Sequence, residues 1–165
     1  MELGCRVNTI ESVSEHNLLV EAARQWRPEA VWRQHFHRPC PTCGRDSRYK
    51  QWPIDCAYVA LAIRNFHDSG DTTGVRSALA ILTALFDRLG RYEPAATIAG
   101  FAASPLTSTA MTEFNNAIAH LSEVLGDPTY ESLAHKGETV TTAAMVTYAF
   151  DQIDQARTEL EAVSK

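Results

Sequence analysis

Apolar residues in this chain recur at intervals of three and four, the spacing of one helix face, and no stretch alternates well enough to predict a strand. The clearest stretch runs from Thr72 to Ala103. Val75, Leu79, Leu82, Leu85, Phe86 and Leu89 predict a helix with a wide apolar face. Gly90 stops it, because a residue without Cβ can take the left-handed conformation that closes a helix end. Pro94 suits the first turn of the next helix, where its missing N–H is no loss. Ala95, Ala96, Ala99, Ala102 and Ala103 make that helix thin, so its backbone can lie close to a neighbour.

The same pattern extends in both directions. Ser14 caps a helix reaching Trp26, with Leu18, Leu19, Ala22 and Ala23 on its apolar side. Pro28 opens a second, with Val31, Trp32, His35 and Phe36 inward, and Pro39 ends it. Residues 39–53 hold three prolines and a glycine without periodicity, which predicts an irregular connection that something must hold in place. A helix follows from Ile54 to Asp68, with Ile54, Tyr58, Leu61, Ala62, Asn65 and Phe66 on one side, broken at Ser69-Gly70-Asp71. After Ser104-Pro105, Thr107 or Ser108 caps a helix to Leu125, using Met111, Phe114, Ile118, Leu121, Val124 and Leu125. Asp127-Pro128 restarts a short helix that Gly137 terminates. The last helix begins after Thr139 or Thr141, packs through Ala144, Tyr148, Ile153 and Leu160, and ends near Ala162. The expected fold is all-α, an array of antiparallel helical hairpins with seven or eight helices. Residues 1–53 form an N-terminal part of helices plus a Cys/His-containing loop, and residues 54–165 form the helical domain.

Leu79, Leu82, Phe86, Gly90, Tyr92, Ala95, Ala99 and Ala102 fall at the offsets of one tetratricopeptide (TPR) unit, which the stretch resembles. Thr83 replaces the usual small residue, and Pro105 comes early for the closing proline. A wider set of segments includes Asp68-Ser69-Gly70-Asp71, Phe86-Asp87-Arg88-Leu89-Gly90-Arg91-Tyr92-Glu93, Leu121-Ser122-Glu123-Val124-Leu125-Gly126 and Thr141-Thr142-Ala143-Ala144-Met145-Val146. In order and spacing, over about residues 55–160, these resemble the C-terminal TPR-like helices of large actinobacterial, especially mycobacterial, regulators. Those proteins carry a P-loop ATPase module, with a nucleotide-cyclase domain or a LuxR-type DNA-binding helix-turn-helix. The resemblance implies a helical sensor or scaffold region without catalysis. No G-x-x-x-x-G-K-[ST] occurs in the sequence, so no nucleotide site is expected in this chain.

Composition narrows the reading further. The chain has 165 residues, 45% of them hydrophobic, which is enough for a core. It has no apolar run long enough for a membrane span and no secretory signal in its first twenty residues, so a cytoplasmic protein is the default expectation. The net charge of −5 is unevenly spread. Arg24, Arg27, Arg33, Arg38, Arg45, Arg48 and Lys50 face only Glu29 and Asp46 within residues 24–50, whereas residues 51–165 hold seven basic and fourteen acidic groups. The first region could contact an anion or another acidic surface; the second should repel nucleic acid.

The strongest local chemistry is His35, His37, Cys40 and Cys43. The Cys-Pro-x-Cys-Gly turn resembles one knuckle of a zinc ribbon, since a two-residue gap lets both thiolates face one ion. A structural zinc held by these four, or completed by Cys56 or Cys5, is one expectation. Partly buried thiols with surface histidines are the other, and a dithiol redox site is a third. His16, His67, His120 and His135 are scattered and read as helix-end, core-edge or solvated residues. Asp87 with Arg88, and Arg91 with Glu93, read as turn salt bridges, and Tyr92 as packing between helices. The leading functional expectation is a non-catalytic protein–protein interaction or regulatory module, with a protein partner or self-association. The alternatives are a zinc-stabilised regulatory protein with a basic, nucleic-acid-associated N-terminal region, and an enzyme of unrecognised class.

Overall fold

The computed structural model describes the backbone over residues 48–163 and the side chains over 56–159. The two helices expected before Pro39 and the Cys/His segment lie outside the described residues. Seven helices are seen: α1 Arg48–Asp68, α2 Thr72–Arg88, α3 Tyr92–Ala102, α4 Pro105–Ala110, α5 Thr112–Leu125, α6 Asp127–Glu138 and α7 Thr142–Val163. The described part is all-α, with helices packed on helices in a general helical-repeat arrangement. By internal packing the chain divides into residues 1–61 and 62–165. Of the first unit, the part of α1 before Ala62 is described, and Cys56 and Val59 are buried along it.

α1 begins earlier than the proline-rich composition predicts. Residues 48–53, expected to be irregular, are already helical, and the helix passes through Pro53 near its start. Pro53 is the sixth residue, in the second turn, so it removes one intrahelical bond, the one its N–H would give to the Tyr49 carbonyl. The inward face also differs. Cys56, Val59, Ala62 and Ile63 are buried, whereas Tyr58, Leu61, Asn65 and Phe66 are only half-buried.

Two turns of one design follow. Gly70 and Gly90 both have positive φ, 73° and 76°. In the first, Asp71 N–H donates to the Phe66 carbonyl at 2.8 Å and Gly70 N–H to that of His67 at 3.0 Å. In the second, Arg91 N–H donates to Phe86 at 2.9 Å and Gly90 N–H to Asp87 at 3.1 Å. This paired pattern satisfies carbonyls that a helix end would otherwise orphan, and only glycine meets its left-handed position without strain. Phe-x-x-x-Gly thus ends both α1 and α2. Asp71 then caps α2, its Oδ1 accepting from Gly74 N–H at 2.9 Å.

α2 and α3 form the centre of the second unit. Every residue of α2 from Ala78 to Phe86 is buried, so the helix is enclosed on all sides and not merely along the predicted face. Thr83 is among them, and its hydroxyl donates to the Leu79 carbonyl at 3.0 Å, which removes the cost of burying it. Every residue of α3 from Ala95 to Ala102 is buried as well. The α3 carbonyl end is closed by Arg76, which donates to the Phe101 and Ala103 carbonyls and lies 4.5 Å from the Phe101 ring centre.

Beyond α3 the chain departs from the single long helix predicted up to Leu125. Ser104, not Thr107 or Ser108, is the cap. Ser104 and Thr107 exchange side-chain and backbone bonds of 2.9 and 3.2 Å, and this starts α4 at Pro105. The helix stops at Met111, whose φ of −124° and ψ of 87° are not helical and whose side chain is buried. α5 then buries Phe114, Ala117 and Leu121, but leaves Val124 exposed and Ile118 half-buried. In α7 the buried residues are Met145, Val146, Ala149, Ile153 and Ala156; Ala144 is exposed and Tyr148 half-buried.

α3 and α6 approach each other backbone to backbone. Gly137, predicted to terminate a helix, lies inside α6 and is buried. A Cβ there would overlap the Thr97 carbonyl oxygen, and a Cβ at Gly100 would overlap the Ala134 carbonyl oxygen. Each helix therefore offers a glycine to the other's backbone. The expected thinness of α3 is realised here, with Ala95, Ala96, Ala99 and Ala102 fully buried and Ala103 exposed.

Candidate partner-binding groove

That crossing fixes what stands beside it. With α6 backbone-to-backbone on α3, Leu133 and Lys136 of α6 face the first turns of α3, where Glu93, Pro94 and Thr97 sit. Leu125 at the end of α5 and Tyr148 and Gln152 of α7 complete a groove with a volume of about 600 Å³. Its floor begins at the α2–α3 turn, Gly90 to Tyr92. All of these residues belong to the second unit.

Arg91 is the most committed side chain of the groove. It is only 14% exposed and its guanidinium lies 5.7 Å from the Phe86 ring centre. Its Nη1 donates to the Gln152 carbonyl at 3.2 Å, and Nη2 to the side-chain oxygens of Gln152 and Gln155 at 3.1 and 3.3 Å. Glu159 follows at 3.7 Å. The expected pairing of Arg91 with Glu93 in the turn is replaced by this longer-range set. Arg91 thus ties the α2–α3 turn to α7, while Glu93 stays exposed at the first turn of α3.

Tyr148 stands half-buried against Thr97, whose hydroxyl also donates to the Glu93 carbonyl at 3.1 Å. Burial pushes the Tyr148 phenol above its ordinary pKa. The hydrogen bond with Thr97 and the charge of Arg91 oppose the rise, and Glu93 adds to it. The phenol of Tyr130, on α6, is raised for the same first reason, with Glu138 adding to it. Both hydroxyls are therefore neutral donors near neutral pH.

A second polar arrangement adjoins the groove. His120 of α5, read as core-edge or solvated, bonds through Nδ1 to the Asp87 Oδ1 at 2.7 Å. Asp87 is 12% exposed, so its carboxylate takes an imidazole across the α2–α5 contact. The His120 ring meets the Tyr92 ring edge-on at 5.8 Å, so Tyr92 packs between helices and also lines the groove.

The expectation of a structural zinc is corrected as far as the described residues go. His35, His37, Cys40 and Cys43 lie outside the described residues, and Cys56, one proposed extra ligand, is buried in α1. Among the described residues no group of three or more His, Cys, Asp and Glu is placed to hold a metal ion, which argues against a structural zinc there. Among those residues, too, no helix is long and apolar enough to cross a membrane.

The groove itself was not readable from sequence. Arg91 and its partners Gln152, Gln155 and Glu159 stand more than sixty positions apart, and no local pattern joins them. The one available signal was Gly137, and a glycine near a helix end reads as a stop.

Fold and groove together define a small all-helical domain of general helical-repeat architecture. Compared with protein-family models, with curated proteins and with solved structures, the chain matches none.

Proposed function

We propose that this chain is a non-catalytic, TPR-like interaction module, akin to the C-terminal helices of multidomain transcriptional or signalling regulators, and that the groove between α3, α5, α6 and α7 receives a partner. The observation that carries this reading is the groove's construction. It is an open recess, and its α3 and α6 walls are held together by direct backbone packing. Tyr92, Tyr148, Leu125 and Leu133 offer apolar and aromatic surface, while Arg91, Lys136, Glu93 and Gln152 stand around them. Such mixed linings, aromatic with a polar margin, suit protein recognition. The Asp87–His120 pair bonds one helix to another and reads as a structural tie rather than an acid–base pair.

The test is photo-crosslinking in the native host from a benzoylphenylalanine placed at Leu133, compared with one at the exposed Thr147. A partner crosslinked from position 133 and not from 147 supports the groove as the binding face. Equal labelling from both positions, or none from 133, rejects it.

A further inference from the structure

Residues 51–165 carry fourteen acidic and seven basic side chains. The groove reverses that balance: Arg91 and Lys136 line it against the single carboxylate of Glu93. The two cations play different parts. Arg91 is locked by Gln152, Gln155 and Glu159, and Glu159 is itself two-thirds exposed and does not line the groove. Lys136 is exposed, and its ammonium has no ion pair or side-chain hydrogen bond among the described residues. A fixed cation and an uncommitted one thus share a recess within the acidic stretch 51–165, a distribution that draws an anion to that spot. Beside them, Tyr92, Leu125, Leu133 and Tyr148 supply an apolar and aromatic wall.

We infer that the groove recognises an acidic segment of a partner protein, in which a carboxylate side chain is set beside an aromatic or branched aliphatic one. The carboxylate meets Lys136, with the fixed charge of Arg91 nearby, and the apolar side chain rests between Leu133 and the tyrosines. This inference rests on the interaction reading above and narrows it to one class of partner. The excess of acidic groups over the rest of residues 51–165 disfavours such a segment elsewhere on that region, so charge favours the groove within it.

The test selects peptides from a random phage-displayed library on the immobilised full chain, then measures a synthetic winner by fluorescence anisotropy. The expected winners are enriched in Asp and Glu next to Phe, Tyr, Trp, Leu or Ile. Their affinity should drop about tenfold with Lys136→Glu and fall as salt rises. Lys136 is exposed, so this variant keeps its fold, checked by circular dichroism. Leu133→Arg should also abolish binding. Winners without acidic excess that are still lost on Leu133→Arg would overturn the acidic class and leave the interaction module standing. Binding indifferent to both variants would place the ligand elsewhere and overturn the inference. A library yielding no binder at all would sink both readings.

Discussion

At Gly137 two physical effects of opposite sign compete. In an isolated helix Gly→Ala gains about 1 kcal/mol from propensity. Here the new Cβ would meet the Thr97 carbonyl oxygen, and at Gly100 that of Ala134. A backbone atom cannot rotate aside as a side chain can, so overlap wins. Gly100→Ala and Gly137→Ala should each destabilise the protein by about 3 kcal/mol, read from urea midpoints. A gain in stability from either would show that the helices stand farther apart than described. The sequence carried half of this feature. The alanines of α3 announced a close approach, but nothing local says which neighbour comes near, and Gly137 resembles a helix stop because propensity is blind to what packs against it.

Among the helices, positions and types were largely legible, because periodicity and caps are local. The faces were less so. In α1 the buried set is Cys56, Val59, Ala62 and Ile63, which shares only Ala62 with the predicted stripe, and in α2 burial on all sides hides any stripe. Which side of an apolar helix faces the core depends on neighbours far along the chain. The α4–α5 break was missed because Met111 looks like an ordinary core residue, yet its φ of −124° and ψ of 87° interrupt the helix there. Ser104→Ala should cost about 1 kcal/mol and, by loosening α4, raise amide exchange there before elsewhere. Arg91→Met should preserve volume while cutting the tie to Gln152 and Gln155. The expected loss is about 2 kcal/mol, with α7 losing hydrogen-exchange protection first. Equal loss of protection across all helices would mean that α7 is not separately anchored.

For the molecule as a whole, charge and ionisation give the next expectation. The phenols of Tyr148 and Tyr130 are raised by burial, so the unfolded chain releases these protons first. Their contribution to stability is complete below the ordinary tyrosine value of about 10 and declines as pH climbs through and past it. Urea midpoints compared at about pH 9 and pH 11 should show a smaller fall for Tyr148→Phe than for the wild type. An unchanged fall would place the alkaline sensitivity elsewhere. The paired glycines of α3 and α6 have one more consequence, for ancestry. A contact made by backbone alone records no side-chain chemistry, so it asks for glycine at positions 100 and 137 whatever surrounds them. A cousin too diverged to align along its length would still carry that pair, following two Phe-x-x-x-Gly helix ends twenty positions apart at Gly70 and Gly90. These four glycines are a fingerprint by which lost kin of this chain can be recognised.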